Sequence, residues 1–190
     1  KKFQYNVIRK NARSRDYMGS LQWIEDAGII RRCYNTSITE LPLNGNAIPD
    51  NFKVYMADIG LLVSMLEEGT TWSILQGELH GYKGAIYENL MADILGKMGR
   101  KLYFFQKESG LELDFLIRYK GECVPVECKA RTGNAKSMKT VLNHPEKYHV
   151  FHALKFGDYN VGREGSILTL PFYMAFLLTE CTPSSTLSPA

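Results

Sequence analysis

Asp114, Glu127 and Lys129 are the residues whose types and spacing allow chemistry. Lys120-Gly121, flanked by Tyr119 and Glu122, reads as the two-residue turn of a hairpin. The register set by that turn places Asp114 opposite Glu127 and Glu112 opposite Lys129, where facing Cβ atoms lie about 4.5–5.5 Å apart. Alternation gathers Glu112, Asp114, Glu127 and Lys129 on one face. It leaves Leu113, Phe115 and Ile117 with Val124, Val126 and Cys128 as the core face. Opposed carboxylates repel each other in a sheet, and a divalent cation turns that repulsion into attraction. Mg²⁺ (or Mn²⁺) on Asp114 and Glu127 would polarise a phosphodiester and activate water. Lys129 would orient that water or stabilise charge building on the phosphoryl group.

A third acid comes from a helix. Glu88 borders the apolar face formed by Tyr87, Met91, Ile94, Leu95 and Met98, whereas Asp93 is expected on the far side. Blander readings stand beside these. Lys129 alone also reads as a cross-strand partner of Glu112, Glu88 as an ordinary surface acid, and Pro125 as the source of a bulge that would shift the register. His80, His144, His149 and His152 form no ligand set, and His149 and His152 are expected on opposite faces of a strand. Cys33, Cys123, Cys128 and Cys181 include no C-x2-C pair, and Cys128 reads as core. Trp23 and Trp72 read as packing residues.

The elements that must position these groups fall into two regions. Over residues 1–68, Ser14 is expected to cap a helix that Gly28 closes, with Tyr17, Leu21, Trp23 and Ile24 on its apolar stripe. A strand from Ile29 to Tyr34, a long turn with Pro42, Asn44-Gly45 and Pro49, and a strand from Phe52 to Met56 follow. Asp58 then caps a short helix. Helix, strand, loop, strand is the second half of a winged helix-turn-helix, with Arg9, Lys10, Arg13, Arg15, Arg31 and Arg32 around its helix as candidate DNA contacts. Over residues 69–178 the pattern predicts a helix from Gly84 to Met98 and strands from Lys101 to Phe105, Glu112 to Arg118 and Glu122 to Lys129. A helix from Asn134 to Asn143, strands from Tyr148 to Lys155 and Ser166 to Leu170, and a helix opened by Pro171 complete it. Residues 179–190 read as a loose tail.

The chain has 190 residues, 45% hydrophobic and 23% charged, the balance of a globular protein. Its longest apolar run, Leu170 to Leu178, falls far short of the roughly 18 residues of a membrane span. The net charge of +3 is uneven: residues 1–33 carry +5 and the rest −2. The start, Lys-Lys-Phe-Gln-Tyr, has neither a leader pattern nor an initiator Met. A piece of a longer cytoplasmic protein is the expectation.

Glu88, Asp114 and Glu127-Cys128-Lys129, on helix, strand and strand, resemble the PD-(D/E)xK nuclease superfamily. The segments Ala27-Gly28-Ile29-Ile30, Tyr55 to Leu62, Gly84 to Asn89, Glu112 to Ile117 and Val126 to Lys129 resemble, in order, the region behind the ATPase module of a prokaryotic AAA+ family. Leu113 stands where the superfamily's name has Pro. The resemblance implies an α/β (α+β) fold: a restriction-endonuclease-like mixed sheet flanked by helices, preceded by the partial winged helix. It implies Asp114 and Glu127 as metal ligands, Lys129 as catalytic lysine, Glu88 as helix acid, and Mg²⁺-dependent hydrolysis of DNA. The same fold also allows a catalytically idle module for DNA binding or protein docking. The expected partners are DNA, the ATPase module and a second copy of the chain. No G-x-x-x-x-G-K-[ST] occurs, so no ATP site is expected here.

Overall fold

A computed structural model describes residues 3, 10, 13–78, 82–129 and 135–179. The elements are α1 (Ser14–Asp26), β1 (Ile30–Thr36), a 3-10 turn (Leu43–Asn46), β2 (Ala47–Met56), α2 (Ile59–Ser64), α3 (Thr70–Gln76) and α4 (Lys83–Lys97). They continue with β3 (Leu102–Gln106), β4 (Glu112–Tyr119), β5 (Glu122–Lys129), α5 (Lys136–Leu142), α6 (Pro145–Tyr148), β6 (Ala153–Gly157), β7 (Gly162–Glu164), β8 (Ile167–Pro171) and a 3-10 helix (Phe172–Leu178).

Local chemistry sets several ends. Gly28 closes α1 with φ +71°, the left-handed conformation that glycine adopts without a Cβ clash. Asp58 caps α2 by accepting a hydrogen bond from the Leu61 N–H at 3.1 Å. Ser14, expected as the cap of α1, is instead its first residue; the Asp16 carboxylate accepts from the Arg13 N–H and ties down that end. The expected strand from Tyr148 is wrong at its start. Pro145 opens α6, His149 ends it with φ +50°, and the strand begins at Ala153.

All eight strands form one mixed sheet, ordered β2-β1-β3-β4-β5-β6-β8-β7. β1 runs parallel to β3, pairing Cys33 with Leu102 and Tyr34 with Tyr103. The β1–β2 hairpin is therefore hydrogen-bonded into the same sheet as the later strands, rather than projecting as a free wing. On one face α4 and the last 3-10 helix bury Met91, Leu95 and Leu178 against Phe104, Phe115, Val126 and Phe156. On the other, α5 and α6 bury Met138, Val141 and Tyr148 against Tyr103, Phe105, Leu113 and Leu116. Near the β2 edge, Leu21 of α1 packs on Ile30 and Phe52.

Asp93, expected on the far side of α4 from Glu88, is buried; it accepts from the Ile59 N–H at 3.3 Å and from Lys97 at 2.9 Å. Asn89 ties α4 to β2 with two hydrogen bonds to the Met56 backbone, at 2.8 and 3.1 Å. Arg9 and the tail from 180 to 190 lie outside the described residues, as do His80, Cys181 and the side chain of Arg15.

Candidate functional site

The hairpin between β4 and β5 has the expected register from its turn as far as Phe115, which faces Val126, with Ile117 facing Val124 and Tyr119 facing Glu122; the ladder ends there, so the expected pairs Asp114–Glu127 and Glu112–Lys129 are not part of it. Lys120 (φ +51°) and Gly121 (φ +84°) form its turn, with the two positive φ values that match the twist of flanking strands. Pro125 pairs with Leu116 without a slip. The slip lies on the other edge of β4. Against β3, Tyr103 pairs with Leu116 but Phe105 pairs with Leu113, so Asp114 and Phe115 together face Phe104. Such a bulge re-aims side chains. It divides the expected core face: Leu113 joins Leu116 on the α5 side, while Phe115 and Ile117 stay on the α4 side.

At the bulge the Asp114 carboxylate turns to its partner strand and accepts from the Cys128 N–H at 2.9 Å. Burial pushes the Asp114 carboxyl up to about 7, with the Glu127 and Glu88 carboxylates adding to the effect and the Cys128 N–H and Lys129 opposing it. Glu127 is only 5% exposed. Its Oε1 pairs with the Lys129 ammonium, and its Oε2 is buried with no hydrogen-bond partner among the described residues. For Lys129, burial alone would lower the pKa, but Glu127 and Asp114 outweigh it and raise it. The half-buried Lys129 therefore carries its charge against the two carboxylates. Its pairing with Glu127 replaces the expected cross-strand partner, Glu112.

Glu112 and Glu88 are held by a residue that the sequence reading passed over. Lys53 of β2 is 2% exposed. Its Nζ lies 2.9 Å from Glu88 Oε1 and 2.6 Å from Glu112 Oε1, and 4.9 Å from the centre of the Phe104 ring. The Tyr55 hydroxyl also donates to Glu88, and Gln106 donates to Glu112 at 3.1 Å. Burial would raise the Glu88 pKa, but the Lys53 charge and the Lys53 and Tyr55 hydrogen bonds hold it below the usual carboxylate range. Glu88 thus faces the sheet, as its place on α4 suggested. The signal for Lys53 was its alternation with Tyr55 in an otherwise apolar strand end, Phe52 to Met56.

The neighbouring strand meets the site through Gly157, which pairs with Lys129. A Cβ at Gly157 would stand 2.6 Å from the Lys129 carbonyl oxygen and 2.3 Å from the Tyr159 ring. Only glycine allows β6 to approach Lys129 this closely.

The basic candidates are dispersed. Lys10 and Arg13 are exposed. Arg32 is buried, with its guanidinium committed to Glu25 and Gln22. Arg31 crosses Gly96 of α4 and lines a cavity of about 400 Å³ with Arg32, Arg100 and Lys101. Trp23 and Trp72, expected to pack, are 80% and 67% exposed. His149 and His152 lie outside β6, bonded to Glu40 and Glu122 at 2.7 and 2.8 Å. Cys128 is core, and burial pushes its thiol pKa up. Among the described residues, no group of three or more His, Cys, Asp or Glu side chains is arranged to hold a metal. No described helix is long and apolar enough to cross a membrane.

Residues 83–173, from the start of α4 through β8, match the model of a domain of unknown function, DUF4143. Residues 1–71 match the model of a second domain of unknown function, DUF8612. No curated protein and no solved structure matches the chain.

Proposed function

We propose that the chain is the C-terminal part of an AAA+ ATPase-family protein, and that Asp114, Glu127 and Lys129 hydrolyse DNA phosphodiester bonds with Mg²⁺ or Mn²⁺, in the manner of PD-(D/E)xK nucleases. The family matched by residues 83–173 is often found with AAA ATPases. One observation carries the catalytic reading: a buried carboxylate oxygen of Glu127 has no partner among the described residues, next to a carboxyl group at Asp114 pushed up to about 7. Unmet acceptors of this kind suit a hard cation that takes one or two carboxylates and completes its shell with water.

Asp114 and Glu127 would hold the ion, which when bound supplies Lewis acidity and a more acidic water. The bulge at Asp114 and its bond from the Cys128 N–H fix that carboxylate before any ligand arrives. Lys129 pairs with Glu127. With Glu127 engaged by a cation, the Lys129 ammonium would be released to donate to a phosphoryl oxygen and to orient the attacking water. In the balanced reaction the water oxygen bonds to phosphorus, a P–O ester bond breaks, and the leaving oxygen takes a proton.

Cleavage of duplex DNA in millimolar Mg²⁺ by wild type and Lys129→Ala tests the proposal. Loss of cleavage in the variant, with folding and DNA affinity retained, is expected; retained cleavage would remove Lys129 from catalysis. The second reading, an idle nuclease fold that binds DNA or docks protein, draws on the closed Glu127–Lys129 pair. A larger groove of about 570 Å³, lined by Leu41, Leu43, Arg100, Lys101 and Arg118, also lies away from these residues. DNA binding without cleavage by wild type would favour it.

A further inference from the structure

We infer that Lys53 is a built-in cation standing where a second divalent ion would otherwise sit, so that the acidic cluster takes one metal ion and not two. The inference deepens the metal-dependent reading above and rests on it.

Four carboxyl groups follow one another here with two ammonium groups: Lys53 links Glu112 of β4 to Glu88 of α4, Asp114 of β4 feels the charges of Glu88 and Glu127, and Glu127 of β5 pairs with Lys129. Fully ionised, the cluster carries two negative charges in excess, the charge balanced by one divalent ion. The two ammonium groups divide the acids between them. Lys129 takes Glu127, at the half-exposed end of the cluster. Lys53 bridges one oxygen each of Glu88 and Glu112, at 2.9 and 2.6 Å, beneath the Phe104 ring.

A position between two carboxylates suits a hard divalent cation, and two-metal phosphoryl-transfer sites use a second such ion. The Lys53 ammonium fills that position with a single charge on a stem buried in the β2 strand. The Tyr55 hydroxyl on Glu88 and the Gln106 amide on Glu112 hold the same two carboxylates from their other partners. Lys53 therefore positions Glu88 and Glu112 and sets the number of metal ions. It also joins the segment matched over residues 1–71 to that matched over 83–173. A cluster lacking this cation would carry three negative charges in excess.

The test is Mn²⁺ stoichiometry by calorimetry, with melting temperature followed in parallel. Wild type and Lys53→Arg should each bind one Mn²⁺ per chain, Lys53→Met two, and Lys53→Met combined with Glu88→Gln one again. Should Lys53→Met be unfolded without metal, refolding on addition of Mn²⁺ is expected, since the ion would replace the missing charge. Failure of Mn²⁺ to rescue it would overturn the inference. One Mn²⁺ in both wild type and Lys53→Met would overturn it while leaving the metal reading intact. No Mn²⁺ in wild type, but one in Lys53→Met that Glu88→Gln abolishes, would sink the metal reading at Asp114 and Glu127 and support the role of Lys53 as a cation. No Mn²⁺ in either would overturn both.

Discussion

Asp114 is the residue where the energetic conflict of the site is concentrated. In the folded chain its carboxyl holds a proton up to about 7, against 3.8 for an unperturbed aspartate. Between those values the folded state binds more protons than the unfolded state, so stability falls as pH rises through the window and levels off above it. Chemical denaturation in chelator at pH 4.5 and pH 8 should show a loss of roughly 2–4 kcal/mol at the higher pH. In Asp114→Asn this fall should largely disappear, and the variant should be more stable than wild type at pH 8 without metal. A fall of equal size in both proteins would place the titration elsewhere. That Asp114 lies beside the strand of Glu127 and Lys129 was legible because one local turn makes β4 and β5 neighbours, although the ladder stops at Phe115 and Val126, short of the expected Asp114–Glu127 pair. Lys53 was not, because it reaches Glu88 across 35 residues of chain through a tertiary contact that no short window contains.

Elements position the site through their backbones. The β4–β5 register could be read from Lys120-Gly121 because a two-residue turn fixes it. The bulge at Asp114 could not, since it arises against β3, a strand joined to β4 by a loop that imposes no unique register. Alternation alone therefore put Leu113 in the wrong core. Pro125 was suspected of the slip, but it lies just before the β5–β6 ladder begins at Val126, where its missing N–H costs that ladder nothing. The close approach of β6 makes a sharp prediction. Gly157→Ala would drive a methyl group into the Lys129 carbonyl, which is backbone and yields little. Urea unfolding should show a loss of roughly 1–3 kcal/mol, and cleavage should fall with the displacement of Lys129. Unchanged stability and cleavage would show that β5 and β6 have room to part.

At the scale of the whole molecule, β1–β3 pairing joins what composition and turn signals divided near residue 68. Local patterns located β1, β3, β4, β5 and β8, missed β7, and carried no information on which edge the β1–β2 hairpin joins, because a parallel pairing between Cys33 and Leu102 has no turn to announce it. With one sheet and a lysine from β2 inside the acidic cluster, near- and far-UV circular dichroism should report a single coincident unfolding transition in urea. Two separated transitions would restore the division into independent regions. The most direct test of the metal-dependent site is thermal unfolding of wild type and Asp114→Asn with and without millimolar Mn²⁺. Binding to the folded state raises stability by RT ln(1 + [L]/Kd), about 2.7 kcal/mol at a hundred times Kd. A metal ion held by Asp114 raises the melting temperature of wild type and leaves that of Asp114→Asn almost unchanged. An unmoved wild type, or an equal rise in both proteins, would show that Asp114 holds no such ion.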